Sequence, residues 1–144
     1  MQISSRFTIA THTLIVIALE QDIKVTSDYI AGSVGVNPVI IRKTLSQLRN
    51  AGLIEVARGT GGAKLAKAAD QIRLVDVYRA VESIGKDGQL FAFHDHPNPD
   101  CSIGRNIHTV LDDKLEEAQK ALEDNLAKTT LADVVAQAER LQDK

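Results

Sequence analysis

The chain has 144 residues, of which 44% are apolar and 25% are charged, so it can bury the core of one compact domain and does not have the composition of a disordered protein. Its single cysteine excludes an internal disulfide and a zinc site made of thiolates alone. The longest apolar run, residues 13–19, is too short to span a bilayer and lacks the features of a secretory signal, which predicts a cytoplasmic protein without a membrane partner.

The net charge of −2 hides an asymmetry along the chain. Residues 1–75 carry nine Lys and Arg against five Asp and Glu, whereas residues 76–144 carry eight against fourteen. A basic half on an acidic protein is expected where one face meets a polyanion. From the charges alone, a polyanion-binding face and an ordinary solvated surface are equally favoured interpretations.

Three helices are predicted in the N-terminal part of the chain, over residues 6–20, 27–34 and 37–50. Thr26 is suited to cap the second helix, and Asn37 followed by Pro38 is typical of the start of the third. Gly35 permits a tight turn between these two helices. Two short helices joined by a glycine-containing turn form a helix-turn-helix unit.

The residues after the third helix predict a small β-hairpin. Residues 53–56 alternate as a strand, the glycines of residues 59–62 permit a tight turn, and residues 63–65 return. Further helices are predicted over residues 74–83, 102–126 and 131–141. The predicted fold is mainly α with a small β wing: a winged helix-turn-helix domain (1–85), a sensor-type loop (86–101), and a long dimerisation helix with a C-terminal helix (102–144).

The third predicted helix must turn one apolar stripe toward the core, formed by Val36, Ile41, Leu45 and Leu48. Side chains near its start then face outward, where a recognition helix meets base edges. Arg42 can donate two hydrogen bonds to guanine, Lys43 suits guanine or a phosphate, and Val39 suits a thymine methyl group. Ser46 lies on the same outward side.

Other basic residues are suited to the DNA backbone. Arg49, Lys64 and Lys67 are predicted to contact phosphates, and Arg58, next to the wing glycines, has the reach to enter a minor groove. Each charge taken singly is more often a solvated surface residue, but their convergence on one helix and the wing favours double-stranded DNA as partner. The predicted DNA-binding set is Arg6, Thr26, Asn37, Val39, Arg42, Lys43, Ser46, Arg49, Arg58, Thr60 and Lys64.

Residues 102–126 place apolar side chains on one face with near-heptad spacing, over a length that a small domain does not need for its own core. This pattern predicts a homodimer formed by the same helix of two subunits, although packing on its own domain is the alternative. The predicted contact residues are Ile107, Leu111, Leu115, Ala118 and Leu122.

Four segments together resemble the Rrf2 family of bacterial transcription regulators over nearly the whole chain: ISSR at residues 3–6, LRNAGL at 48–53, RGTGG at 58–62 and IRLVDVYRAVE at 72–82. The resemblance implies a dimeric winged-helix DNA-binding protein, usually a repressor and not an enzyme, with a long helix near the C-terminus in the dimer interface.

Many members of this family hold an iron-sulfur cluster through three cysteines in the loop before the long helix. Here the family's usual six-residue spacing around Cys101 falls on Asp95 and Ile107, so two of the three thiolates are missing. Iron-sulfur clusters require cysteine-rich ligation, and no cofactor is therefore predicted. The sequence resembles the cluster-free branch of the family.

The loop HDHPNPDC, residues 94–101, leaves three interpretations open. A metal-responsive regulator or metal-binding protein would use the mixed ligand set of His94, His96, Cys101 and His108, although the spacing matches no established pattern. A Cys/His nucleophile lacks a third, orienting group nearby. The favoured interpretation is a sensor.

For that sensor, we expect Asp100 to cap the long helix, so that Cys101 lies in its first turn, where free backbone N–H groups favour a thiolate. Protonated His96 or His108 would act in the same direction. The effector would then be an oxidant, an electrophile or a small ligand near the loop. The alternative is that Cys101 is a small buried hydrophobic residue.

Overall fold

The computed structural model describes residues 5–58, 62–82, 90–91 and 93–142. Helices and strands follow in the order α1 (Arg6–Leu19), α2 (Ser27–Val34), α3 (Pro38–Asn50), β1 (Ile54–Val56), β2 (Ala63–Leu65), a 3₁₀ turn (Ala69–Gln71), α4 (Leu74–Val81), α5 (Ser102–Arg105), α6 (Ile107–Leu126) and α7 (Leu131–Gln142). The prediction of a mainly α fold with a small β wing is confirmed. No helix in this part of the chain is long and apolar enough to cross a membrane.

The described residues group into two compact units, Met1–Glu82 with Leu126–Lys144, and Ser83–Asn125. Helix α7 belongs to the first of these units, which contains the helix-turn-helix and the wing. Leu131 of α7 is fully buried, and its N–H donates to the carbonyl of Ile72 (2.7 Å). Thr130 and Asp133 cap α7 reciprocally through side chain to backbone hydrogen bonds of 2.9 and 3.2 Å.

The core of the winged unit lies where α1, α2 and α3 pack on one another and on α4, the wing and α7. Its largest fully buried apolar side chains are Leu14, Ile30, Ile41, Leu48, Ile54, Ile72, Val75, Val77, Val81 and Leu131. In α4, Leu74 is half-buried and Val75 is buried. The backbone N–H of Arg73 donates to Asp76 Oδ2 (2.9 Å), which fixes the start of α4 at Leu74, the predicted first residue.

The second unit contains α5 and α6, and the prediction of one continuous helix over residues 102–126 is wrong. The helix is interrupted at Asn106. The side-chain amide of Asn106 donates a hydrogen bond to the carbonyl of Ser102 (2.7 Å), and its backbone N–H donates one to the carbonyl of Ile103 (3.1 Å). Asparagine competes with helical backbone bonding in this way. Position 104 of α5 requires glycine because the backbone of Asn98 passes close to it, and a Cβ there would lie 2.8 Å from the carbonyl oxygen of Asn98.

Candidate nucleic-acid interface

The starts of α2 and α3 are fixed by local hydrogen bonds that the sequence predicted. Thr26 Oγ1 accepts a hydrogen bond from the N–H of Tyr29 (3.2 Å), and Asn37 Oδ1 accepts one from the N–H of Val39 (2.9 Å). Gly35 adopts φ +82°, a left-handed conformation that side chains disfavour. These bonds satisfy the helix starts and set α3 against α2 as a helix-turn-helix.

The N-terminal half of α3 presents side chains to solvent. Val39 is 60% exposed, Arg42 and Lys43 are exposed, and Ser46 is half-buried. On the opposite side, the predicted core stripe is found buried at Ile41, Leu45 and Leu48, with Val36 half-buried. An exposed valine beside two cations gives this helix both apolar and charged contacts for the edges of base pairs.

The wing is a two-stranded antiparallel sheet in which Glu55 lies opposite Lys64. It is anchored to the connection between α1 and α2, since the N–H of Ala63 donates to the carbonyl of Val25 (3.1 Å). Gly62 has φ +78°, and a Cβ there would lie 3.0 Å from the nitrogen of Val25, so only glycine fits this anchor. Arg58 is exposed on the chain that leaves β1 for the wing tip.

The remaining predicted contacts lie on several elements of the same unit. Arg6 is exposed in the first turn of α1, Arg49 in the last turn of α3, and Lys64 and Lys67 on β2 and just after it. Asn37 is exposed and Thr26 is half-buried. Thr60 lies outside the described residues. The described cations thus lie on one unit, where they can act together on a polyanion.

Two exposed residues of the helix-turn-helix were missed. Ile40 is 45% exposed beside Val39, and Tyr29 is 43% exposed on α2. Ile40 and the buried Ile41 are neighbours in a helix, so a helical wheel assigns only one of them to the core. The exposure of Ile40 could have been predicted on this basis. Ile40 widens the apolar surface at the start of α3.

Helix α6 has 20 residues and none of them is buried. Ile107, Leu111, Leu115 and Leu122 of the predicted dimer stripe are half-buried and Ala118 is exposed. Val110 is also 60% exposed, although it lies outside that stripe. A long helix with this much accessible apolar surface is typical of a partner-binding element.

The prediction that Asp100 caps a long helix, with Cys101 in its first turn, is wrong. The N–H groups of Asp100 and Cys101 donate instead to the side chain and the carbonyl of Asn98 (2.9 and 3.2 Å). Cys101 is the N-cap residue of the four-residue α5, and it is exposed, not buried. Hydrogen bonds from the backbone of Gly104, and secondarily of Ile103, lower the pKa of the Cys101 thiol. This direction of the pKa shift is the one that the sequence predicted, although the geometry that causes it differs.

The histidines of the loop make other contacts than the predicted ones. Phe93 stacks on His108 with ring centroids 3.9 Å apart and on His94 at 5.0 Å, and His108 Nδ1 lies 3.0 Å from Asp112 Oδ1. His96 is exposed. In the described ranges, no three His, Cys, Asp or Glu side chains form a group that could hold a metal ion. The four candidate ligands are therefore not brought together.

A helix-turn-helix with an exposed second helix, followed by a hairpin wing carrying cations, defines the class of winged-helix DNA-binding proteins. Residues 3–137 match the Rrf2 family model, described as an iron-dependent transcriptional regulator. The chain is 41% identical over 133 residues, 92% of its length and 96% of the relative's, to YwnA of Bacillus subtilis (strain 168), a protein provisionally assigned as an HTH-type transcriptional regulator. The protein belongs to the Rrf2 family of transcriptional regulators.

Two solved structures agree with this assignment. One, provisionally assigned as a DNA-binding protein, superposes with a TM-score of 0.73 at 36% identity, covering 90% of this chain and 98% of its own. The other, IscR of T. potens, superposes with a TM-score of 0.70 at 25% identity, covering 99% and 91%. The iron in the family description does not fit the residues present here, because Cys101 is the single cysteine of the chain and the described donors form no metal-binding group.

Proposed function

We propose that this DNA-binding regulator is a homodimeric repressor that binds a two-part operator through α3 and the wing of each subunit. The observation that carries the proposal is the exposed start of α3, where Val39, Arg42 and Lys43 stand beside a wing that bears Arg58. A dimer bound in this way occupies promoter DNA and excludes the polymerase from it. Repression is therefore the direction of regulation that we propose.

In this proposal, Arg42 donates two hydrogen bonds to a guanine and Val39 packs on a thymine methyl, with Lys43 and Ser46 beside them. Arg6, Arg49 and Lys64 contact phosphates together with Thr26, Asn37 and Thr60, which fixes the register of the helix. Arg58 enters the minor groove. The exposure of most described members supports these assignments, while Thr26 and Ser46 are half-buried.

The accessible apolar stripe of α6 supports dimerisation. Ile107, Leu111, Leu115, Ala118 and Leu122 of one subunit would pack on the same residues of its partner, since a two-fold interface is self-complementary. Two recognition helices related by that axis read half-sites about one turn of DNA, roughly 34–36 Å, apart. The operator is accordingly an inverted repeat.

The signal that we propose is oxidation of Cys101. Its thiolate attacks a peroxide, so that the O–O bond breaks, an S–O bond forms, the sulfur loses two electrons and the leaving hydroxide takes up a proton to give water. The exposure of Cys101 and its lowered thiol pKa support this reactivity. A sulfenic acid at the start of α5, close in sequence to α6, alters the element proposed to join the subunits.

Operator binding with a steep salt dependence is the first expected result. Selection from genomic fragments followed by footprinting should give an inverted repeat. A dimer with about six to ten phosphate contacts should lose roughly 10³–10⁵-fold in affinity between about 50 and 200 mM salt. Lys120→Gln, which removes a cation of α6 that pairs with Asp124 (2.9 Å), is the control and should leave the salt slope unchanged. Absent or salt-independent binding contradicts the proposal.

The pH dependence of Cys101 alkylation tests the thiol. Because the backbone lowers its folded-state pKa, the thiolate persists to lower pH, and the rate of reaction with iodoacetamide should rise with pH at a midpoint below that of a peptide of residues 96–106. Peroxide should release operator DNA from the parent protein and not from Cys101→Ser. Equal midpoints, or release that persists in Cys101→Ser, would remove the switch from the proposal.

A further inference from the structure

The second unit contains an open cavity of about 290 Å³ on one side of α6. It does not include the thiol of Cys101 or any residue proposed to contact DNA. Its walls are formed by Phe91, Phe93, His108, Asp112, Leu115, Glu116 and Gln119. This volume is at the lower end of the range of small-molecule sites.

Specific contacts hold both walls of this cavity in place. The N–H of Leu90 donates to Gln119 Oε1 (2.9 Å), which ties the segment before Phe91 to α6. The ring of Phe93 stacks nearly parallel on His108, with an interplanar angle of 19°. The same imidazole is held by Asp112 one turn further along α6. These contacts position Phe93, His108, Asp112 and Gln119 of the lining relative to one another.

The chemistry of the lining is negative and aromatic. Asp112 and Glu116 lie one helical turn apart, and the described residues of the lining include no Lys or Arg. The two phenylalanine rings and Leu115 supply flat apolar surface, and Phe91 is 41% exposed. Ring faces and carboxylates both attract cations, and the cost of burying an anion here is high.

We propose that this cavity binds a small organic cation with a flat aromatic body. The ring of the ligand lies against Phe91 and Phe93, and its charged group faces Asp112 and Glu116. Leu115 belongs both to this cavity and to the stripe proposed for the dimer, so the bound cation acts as an effector. The role as effector rests on the proposed function, whereas the binding itself does not.

Three probes of one shape test the ligand class: 2-naphthamidine, which is a cation, 2-naphthamide, which is neutral, and 2-naphthoate, which is an anion. Calorimetric titration of the full-length protein should give saturable binding of the amidine, about tenfold tighter than of the amide, and none of the naphthoate. Equal affinity of amidine and amide, or no binding of the amidine at millimolar concentration, overturns the proposal.

A matched pair of double variants tests the location of the site. Asp112→Asn with Glu116→Gln should weaken amidine binding about tenfold or more, whereas Asp113→Asn with Glu117→Gln, an equal change of charge one residue along α6, should leave it unchanged. Equal losses of amidine affinity in the two double variants would show that the overall negative charge of the unit attracts the ligand, and would overturn the proposed site. Replacement of the ring by Phe91→Leu provides a variant without any change of charge and should also weaken binding.

These titrations contain no DNA, so their failure is separate from a failure of operator binding. Addition of 2-naphthamidine to the operator complex tests the effector role. A shift in operator affinity that is lost in the Asp112→Asn, Glu116→Gln variant supports it, and an unchanged affinity at a saturating concentration overturns it.

Discussion

The Arg42→Ala, Arg58→Ala double variant is expected to lose specific operator binding and to stay folded. Both side chains are exposed, so their truncation leaves the core intact. Loss of a bidentate guanine contact costs about 1–3 kcal/mol, and the two changes together should cost about 2–5 kcal/mol per subunit, a factor of roughly 30 to 5,000 for each half-site that the dimer occupies. Fluorescence anisotropy with operator and scrambled duplexes at one salt concentration measures this loss.

The control for that result is Lys114→Ala, Arg140→Ala, which removes two exposed cations from α6 and α7. If both double variants lose the same affinity, net charge and not the winged unit determines binding. Arg42→Lys separates two roles of the side chain, because lysine keeps the charge and loses the planar pair of donors. It should reduce the preference for operator over scrambled DNA more than the affinity for scrambled DNA.

Ala118→Glu on α6 is expected to produce a monomer. Ala118 is exposed within its own chain, and both residues are good helix formers, so the subunit should fold unchanged. In a two-fold interface the new carboxylates would be buried unpaired in both subunits, and the dimer Kd should rise by at least about 100-fold, or about 3 kcal/mol. Sedimentation equilibrium across a concentration series measures the change, and operator affinity should fall with it.

Thr109→Glu adds the same charge on the opposite side of α6 and should leave the dimer intact. A protein that remains dimeric with Glu at position 118 would show that α6 does not form the interface by this stripe. A protein that becomes monomeric with either substitution would show that the effect is general repulsion in an acidic unit.

The helix-turn-helix could be predicted from sequence because its limits are set by neighbouring residues. Thr26, Gly35 and Asn37 each act through a bond or a backbone angle within their own turn, and α2 was predicted with its observed bounds. The interruption at Asn106 was not predictable in this way. Apolar residues continue across it at helical spacing, and periodicity does not register a side chain that bonds to its own backbone.

Contacts between distant segments account for the other differences. An amphipathic pattern shows which face of α7 is buried but not what buries it, so the packing of Leu131 in the winged unit required the structure. The stack of Phe93 on His108 joins residues on two segments, and the sequence suggested metal ligands there instead. Local bonding could thus be predicted in detail, whereas the pairing of segments far apart in the chain could not.

The placement of α7 also bears on the order in which the protein is made. The winged unit is discontinuous in sequence: residues 83–125 are synthesised before the residues that complete its core. Until α7 leaves the ribosome, a nascent chain that already contains α3 and the wing lacks Leu131, whose burial stabilises the fold by roughly 1.5–3 kcal/mol. The DNA-binding domain therefore matures only after the segment proposed to pair the subunits has been translated.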